Sequence, residues 1–176
     1  MRSGTTAILL GLLLCAPVHA TPPAHEHARD CAGQVTAPPA GLSGWSTPAP
    51  ATAAGNEAGL AAAVIPVGAR ADAVLRQTGD IRYVARPEKP GGSVSFGGMF
   101  AFDVTEPGTY RVALDSAAWI DVLRNGKAVA STAHGPGPEC SGIRKMVDFP
   151  LEPGRYVLQL AANGKPAIAV LVARLP

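Results

Sequence analysis

His25, Glu26 and His27 form the densest group of metal-ligating side chains in this 176-residue sequence. Imidazole and carboxylate together hold zinc, copper or iron. On an extended chain, residues two apart share a side, so His25 and His27 face together and Glu26 faces away. A non-haem iron centre needs two histidines and a carboxylate on a rigid wall. Downstream of His27 the sequence offers one further histidine, His134, so a metal set would be His25, His27 and His134. The competing reading is a solvated polar patch on a flexible arm, where ordering the ligands costs entropy.

The run His134–Arg144 (HGPGPECSGIR) gathers His134, Glu139, Cys140, Ser141 and Arg144 in a Gly/Pro-rich loop, the kind of segment on which functional side chains concentrate. Cys140 beside His134 has the composition of a nucleophile and its base. A disulfide from Cys140 to Cys31 is the alternative, and it is preferred because it also accounts for Cys31. Ser141 lacks the Gly-x-Ser-x-Gly frame of a nucleophile elbow. Trp119 and Asp121 share one face of a strand, and an indole beside a carboxylate could form a sugar-binding shelf. Burial of Trp119 in the core is the other reading. Asp115, Asp121 and Asp148 could gather calcium, but none stands in an EF-hand or nonapeptide pattern. The glycines of Gly91-Gly92-Ser93 and Gly97-Gly98 precede no Lys-Ser/Thr, which excludes a phosphate loop and suggests an inter-strand connection. The ligand-binding candidates are therefore His134, Glu139, Arg144, Trp119 and Asp121. No resident cofactor is expected; iron, copper and calcium are the ions these residues could take.

The elements that would position these groups are short and β-rich. Gly and Pro number 20 and 17, a surplus of turn and linker residues. Thr21–Gly55 is dominated by Pro, Ala, Thr and Gly and reads as an extended arm, with Trp45 either docked on the body or exposed. Asn56 is an N-cap candidate for a short helical turn before Val64. From Ile65 onward, apolar alternation marks strands at Ala73–Arg76, Ile81–Ala85, Gly98–Val104, Tyr110–Asp115, Trp119–Arg124, Lys127–Thr132, Lys145–Phe149, Arg155–Ala161 and Ala167–Arg174. Asn125-Gly126 supplies a type I′ hairpin signal, and Asn163-Gly164 is expected to turn the last hairpin. Phe102-Asp-Val-Thr-Glu-Pro-Gly-Thr-Tyr110 echoes Phe149-Pro-Leu-Glu-Pro-Gly-Arg-Tyr156, each a strand end, a Pro-Gly turn and a tyrosine. Eight or nine short strands with turns between them predict an all-β antiparallel sandwich of jelly-roll type over residues 65–176, behind a largely disordered Pro/Ala-rich arm over 21–64.

Met1–Ala20 has the form of a cleaved secretory signal: Arg2, an apolar run from Ala7 to Val18, then Val18-His19-Ala20. The run is too short to span a bilayer. Cys15 leaves with the leader, and Cys31 and Cys140 remain to pair in an oxidising compartment. With 15 Lys+Arg against 13 Asp+Glu and no long basic run, nucleic-acid binding has no electrostatic footprint.

The pieces Phe100-Ala-Phe102-Asp-Val104, Pro107-Gly-Thr-Tyr110-Arg-Val112-Ala-Leu114, Trp119-Ile-Asp121-Val122 and Pro153-Gly-Arg-Tyr156-Val-Leu158 resemble small bacterial exported jelly-roll domains, the pre-peptidase C-terminal type among them. That resemblance implies a β-sandwich accessory that binds polymers, partner proteins or calcium. Cys140-Ser-Gly-Ile-Arg-Lys-Met-Val-Asp-Phe149 also resembles short exported proteins, some of which go under the name homogentisate 1,2-dioxygenase; this would imply a metal-dependent enzyme. The residues themselves make no convincing catalytic set. They favour a periplasmic or extracellular, non-enzymatic binding or accessory protein of the cell envelope, whose partner is an envelope protein or polymer. A metal-dependent enzyme or metal carrier is the alternative.

Overall fold

The structure, a computed structural model, describes Met1, Cys31 and residues 33–176. The expected leader from residue 2 onward, and with it His25, Glu26 and His27, lies outside the described residues. The body Cys31–Pro176 is a sandwich of two sheets with eleven strands, two or three more than the sequence suggests. They are β1 (Pro48–Thr52), β2 (Arg70–Val74), β3 (Arg76–Gln77), β4 (Phe96–Val104), β5 (Gly108–Leu114), β6 (Trp119–Arg124), β7 (Lys127–Ala128), β8 (Ala133–Gly135), β9 (Lys145–Leu151), β10 (Gly154–Asn163) and β11 (Ala167–Arg174). One sheet runs β1-β2-β11-β5-β9-β8 and the other β3-β4-β10-β6-β7. Every pairing between them is antiparallel except β1 with β2.

Alternation builds the core. Tyr110, Val112 and Leu114 of β5 and Val170 and Val172 of β11 meet Phe100 and Phe102 of β4 and Tyr156, Leu158 and Leu160 of β10 in one buried cluster. Phe102 and Tyr156, directly opposed in register, stack at 5.6 Å. The two Pro-Gly echoes are built alike. The Tyr110 hydroxyl donates to the Glu106 carbonyl and the Tyr156 hydroxyl to the Glu152 carbonyl, each at 2.8 Å. This is the tyrosine-corner device, in which a phenol ties a strand to the bend before it. Neither echo is a hairpin within one sheet, because β4 to β5 and β9 to β10 each carry the chain from one sheet to the other. Gly108 and Gly154 accordingly adopt φ of 157° and 146°, far more extended than the roughly 80° of a type II turn.

The sheet reaches upstream of the expected boundary at 65. β1 lies at the sheet edge, parallel to β2. Ala53 donates its N–H to Val74, so by alternation Pro48 and Pro50 place their donor-less nitrogens on the outer side, where an edge strand tolerates them. Beyond it, Asn56 caps the short 3₁₀ turn Glu57–Ala61 by accepting from Gly59 N–H at 3.1 Å. Trp45 is docked, only 5% exposed, in a second apolar cluster with Leu42, Ala113, Ile143, Leu171 and Ala173. Cys31 and Cys140 form a disulfide with Cα atoms 5.5 Å apart.

Other expectations are corrected. Ile81–Ala85 is not a strand; side chains hold it against β10 instead of a backbone ladder. Gln159 donates to Ala85 O at 2.9 Å and accepts from Ala85 N–H at 3.1 Å, while the Tyr83 hydroxyl donates to Leu160 O at 2.9 Å. The strand expected from Gly98 begins at Phe96, so Gly97 also belongs to β4 and neither glycine lies in a loop. A side chain at 97 would collide with the Tyr83 hydroxyl, and one at 98 with Ala53. The expected strand Lys127–Thr132 stops at Ala128 because the chain changes sheets, Thr132 N–H reaching Asp148 O at 2.8 Å. Asn163-Gly164 joins strands of different sheets, and the positive φ falls on Ala162, at 56°.

Candidate functional site

A cavity of about 420 Å³ lies where β6 of one sheet meets β8 and β9 of the other. Ile120, Val147 and Phe149, all buried, supply its apolar lining, with Val129. Trp119, Asp121, Lys145, His134, Ser131 and Lys89 supply the polar part. Strand alternation positions several of these groups. Trp119 and Asp121 flank the buried Ile120 on β6, and the two-residue spacing lets Trp119 Nε1 donate to Asp121 Oδ1 at 3.0 Å. Lys145 opens β9, and its Nζ donates to Ala118 O at 2.8 Å. His134 sits on β8, exposed, opposite Val147 of β9. Lys89 follows the segment that Gln159 pins at Ala85.

Two ammonium groups share the Trp119 indole. Lys89 Nζ lies 5.2 Å and Lys145 Nζ 5.7 Å from a ring centroid, within cation–π range. Burial lowers the Lys145 pKa, and repulsion from Lys89 lowers it further. Asp121 is shifted the other way: burial raises its pKa, hydrogen bonds from Trp119 and from its cross-strand partner Gln159 oppose the shift, and Glu88 adds to it. Tyr83 is pushed up to about 12, first by burial and then by the Asp121 charge. The arrangement can hold an anionic group beside an apolar surface.

Of the sequence candidates, Trp119, Asp121 and His134 line this one cavity. Glu139 and Arg144 do not; they flank the disulfide, lining a separate cleft of about 550 Å³ with Cys31 and Cys140. Cys140 is bridged, so it does not serve His134 as a nucleophile. Ser141 donates to Pro138 O at 2.7 Å and accepts from Ile143 N–H at 3.2 Å. The three aspartates proposed for calcium are dispersed. Asp148 is gripped by both prongs of Arg111 at 2.6 and 2.7 Å, Asp115 accepts from Ala169 N–H, and Asp121 holds Trp119. Among the described residues no group of three His, Cys, Asp or Glu side chains is placed to hold a metal ion. Sequence reasoning missed Lys89 and saw Lys145 only as the residue that ends the His134 loop, with no tie to Trp119. Isolated lysines between turns carry no motif, and only the approach of the two sheets brings them to one ring.

No protein-family model matches the chain, and no curated protein matches it with significant similarity.

Proposed function

We propose that this protein is an exported, non-enzymatic binding or accessory module of the cell envelope that engages an envelope protein or polymer through the Trp119 cavity. The observation that carries the reading is the lining itself: an indole, two ammonium groups, a carboxylate and an imidazole around an apolar floor. Recognition sites combine these ingredients, an apolar surface with a few convergent polar groups. Both nucleophile candidates of the Cys140 loop are otherwise engaged, Cys140 in the bridge and Ser141 on Pro138 O, which favours binding over catalysis. Export is supported by the leader-like Met1–Ala20 and by the disulfide, a bond that persists outside reducing compartments. Among the described residues no helix is long and apolar enough to cross a membrane. The resemblance to exported accessory sandwiches points the same way.

The test is co-sedimentation of the purified, disulfide-bonded protein with isolated cell-envelope polysaccharide and sacculi, comparing wild type with Trp119→Ala. Retention of the wild type and loss of the variant is the expected result. Equal retention of both would remove the cavity from the function.

A further inference from the structure

Resting on that binding reading, we infer that the Trp119 cavity recognises a carboxylate carried on a hydroxylated sugar ring, a uronate, with the Lys89 and Lys145 ammonium groups on the carboxylate. Two like charges are brought to one indole, and a bound anion would relieve their mutual repulsion. Among the described residues, none of the ion pairs takes either lysine; the carboxylates in those pairs belong to Arg70, Arg111, Arg155 and Arg174. Lys145 uses one N–H on Ala118 O, and an ammonium has three. Lys89 is exposed and free to swing onto a ligand.

The rest of the lining defines what carries the charge. Within it two lysines face a single carboxylate, Asp121, and Glu88 beyond the lining acts on that carboxylate, so the charge of the site suits a monoanion better than a dianionic phosphate. Asp121, Ser131 and His134 offer acceptors and donors to hydroxyl groups. Ile120, Val147 and Phe149 offer an apolar surface to the carbon-bound face of a ring. A purely aliphatic acid would leave the polar side unused, and a neutral sugar would leave the ammonium pair with Asp121 as its one counter-charge in the lining.

The experiment is calorimetric titration of the full, disulfide-bonded chain with tetragalacturonate, with cellotetraose as a neutral oligomer of equal length, and with free galacturonate and acetate. Tetragalacturonate is expected to bind roughly tenfold or more tightly than cellotetraose, and to weaken as salt rises. Lys89→Ala, which trims an exposed side chain and spares the fold, is expected to reduce that binding several-fold. Galacturonate should compete where acetate does not, which separates a uronate from a bare carboxylate; competition by acetate as effective as by galacturonate overturns the sugar assignment. Equal affinity for the acidic and neutral oligomers, an unchanged Lys89→Ala, or no binding of tetragalacturonate overturns the inference. In each of those cases co-sedimentation that still depends on Trp119 leaves the cavity reading standing, so the two can fail separately.

Discussion

Trp119 Nε1 donates to Asp121 Oδ1 at 3.0 Å along a single strand face, and this bond holds a carboxylate in a place where burial disfavours its charge. The Asp121 pKa lies above its ordinary value of 3.8, burial being the largest cause. A group whose folded pKa is raised contributes stability that is fully present below the unfolded pKa and is lost as pH rises through the folded pKa. Asp121→Asn keeps an oxygen acceptor for the indole and removes the charge. It is expected to match or exceed wild-type stability at pH 7, by up to about 1 kcal/mol, and to lose that advantage as the pH falls towards 3.8 and below. Urea unfolding at several pH values checks this.

Gln159 is 1% exposed and satisfies both backbone groups of Ala85. Gln159→Leu leaves those two groups without their partner, at a cost of roughly 2–3 kcal/mol. It should also loosen the segment that carries Lys89. Faster hydrogen exchange at the Ala85 amide, with β11 amides unaltered in relative order, is the expected signature.

The two tyrosine corners are unequal. Tyr156 both donates to Glu152 O and accepts from Glu152 N–H at 3.1 Å, whereas Tyr110 only donates. At about 1 kcal/mol per bond, Tyr156→Phe is expected to destabilise by about 2 kcal/mol and Tyr110→Phe by about half of that. Equal losses in denaturant titrations would contradict the duplicated-corner assignment.

The disulfide joins residues 109 apart in sequence. Closing a loop of that length restricts the unfolded chain by up to roughly 4–5 kcal/mol. The Cys31→Ser, Cys140→Ser double variant should therefore unfold at lower urea. Reductant should lower the wild-type midpoint to that of the variant and leave the variant unmoved.

The parts of this fold that were legible in the sequence are those set by local chemistry. Trp119–Arg124 and Ala167–Arg174 are strands over those same bounds, because alternation and a turn signal delimit both. Asn125 and Gly126 take φ of 51° and 75°, the positive values that a type I′ turn requires and that Asn and Gly adopt more readily than other residues. Ile81–Ala85 has equally good strand composition, yet its Ala85 backbone is satisfied by Gln159, a partner 74 residues away that no local pattern reveals, and its Arg82 N–H by Gly55 O. β1 was hidden by Pro48 and Pro50, which argue against a strand unless its edge position is known. In the cavity, the pairing of Trp119 with Asp121 follows from their spacing. The approach of Lys89, His134 and Lys145 follows only from how two sheets close on each other.

The outer borders of both sheets bear on what happens when many copies are crowded together. β1 turns two prolines outward, β8 spans three residues, and β3 and β7 span two each. Such rims present no long row of free amides, so a second molecule finds little template for adding its own strand. A protein made largely of pleated ribbon is thereby kept from polymerising edge to edge.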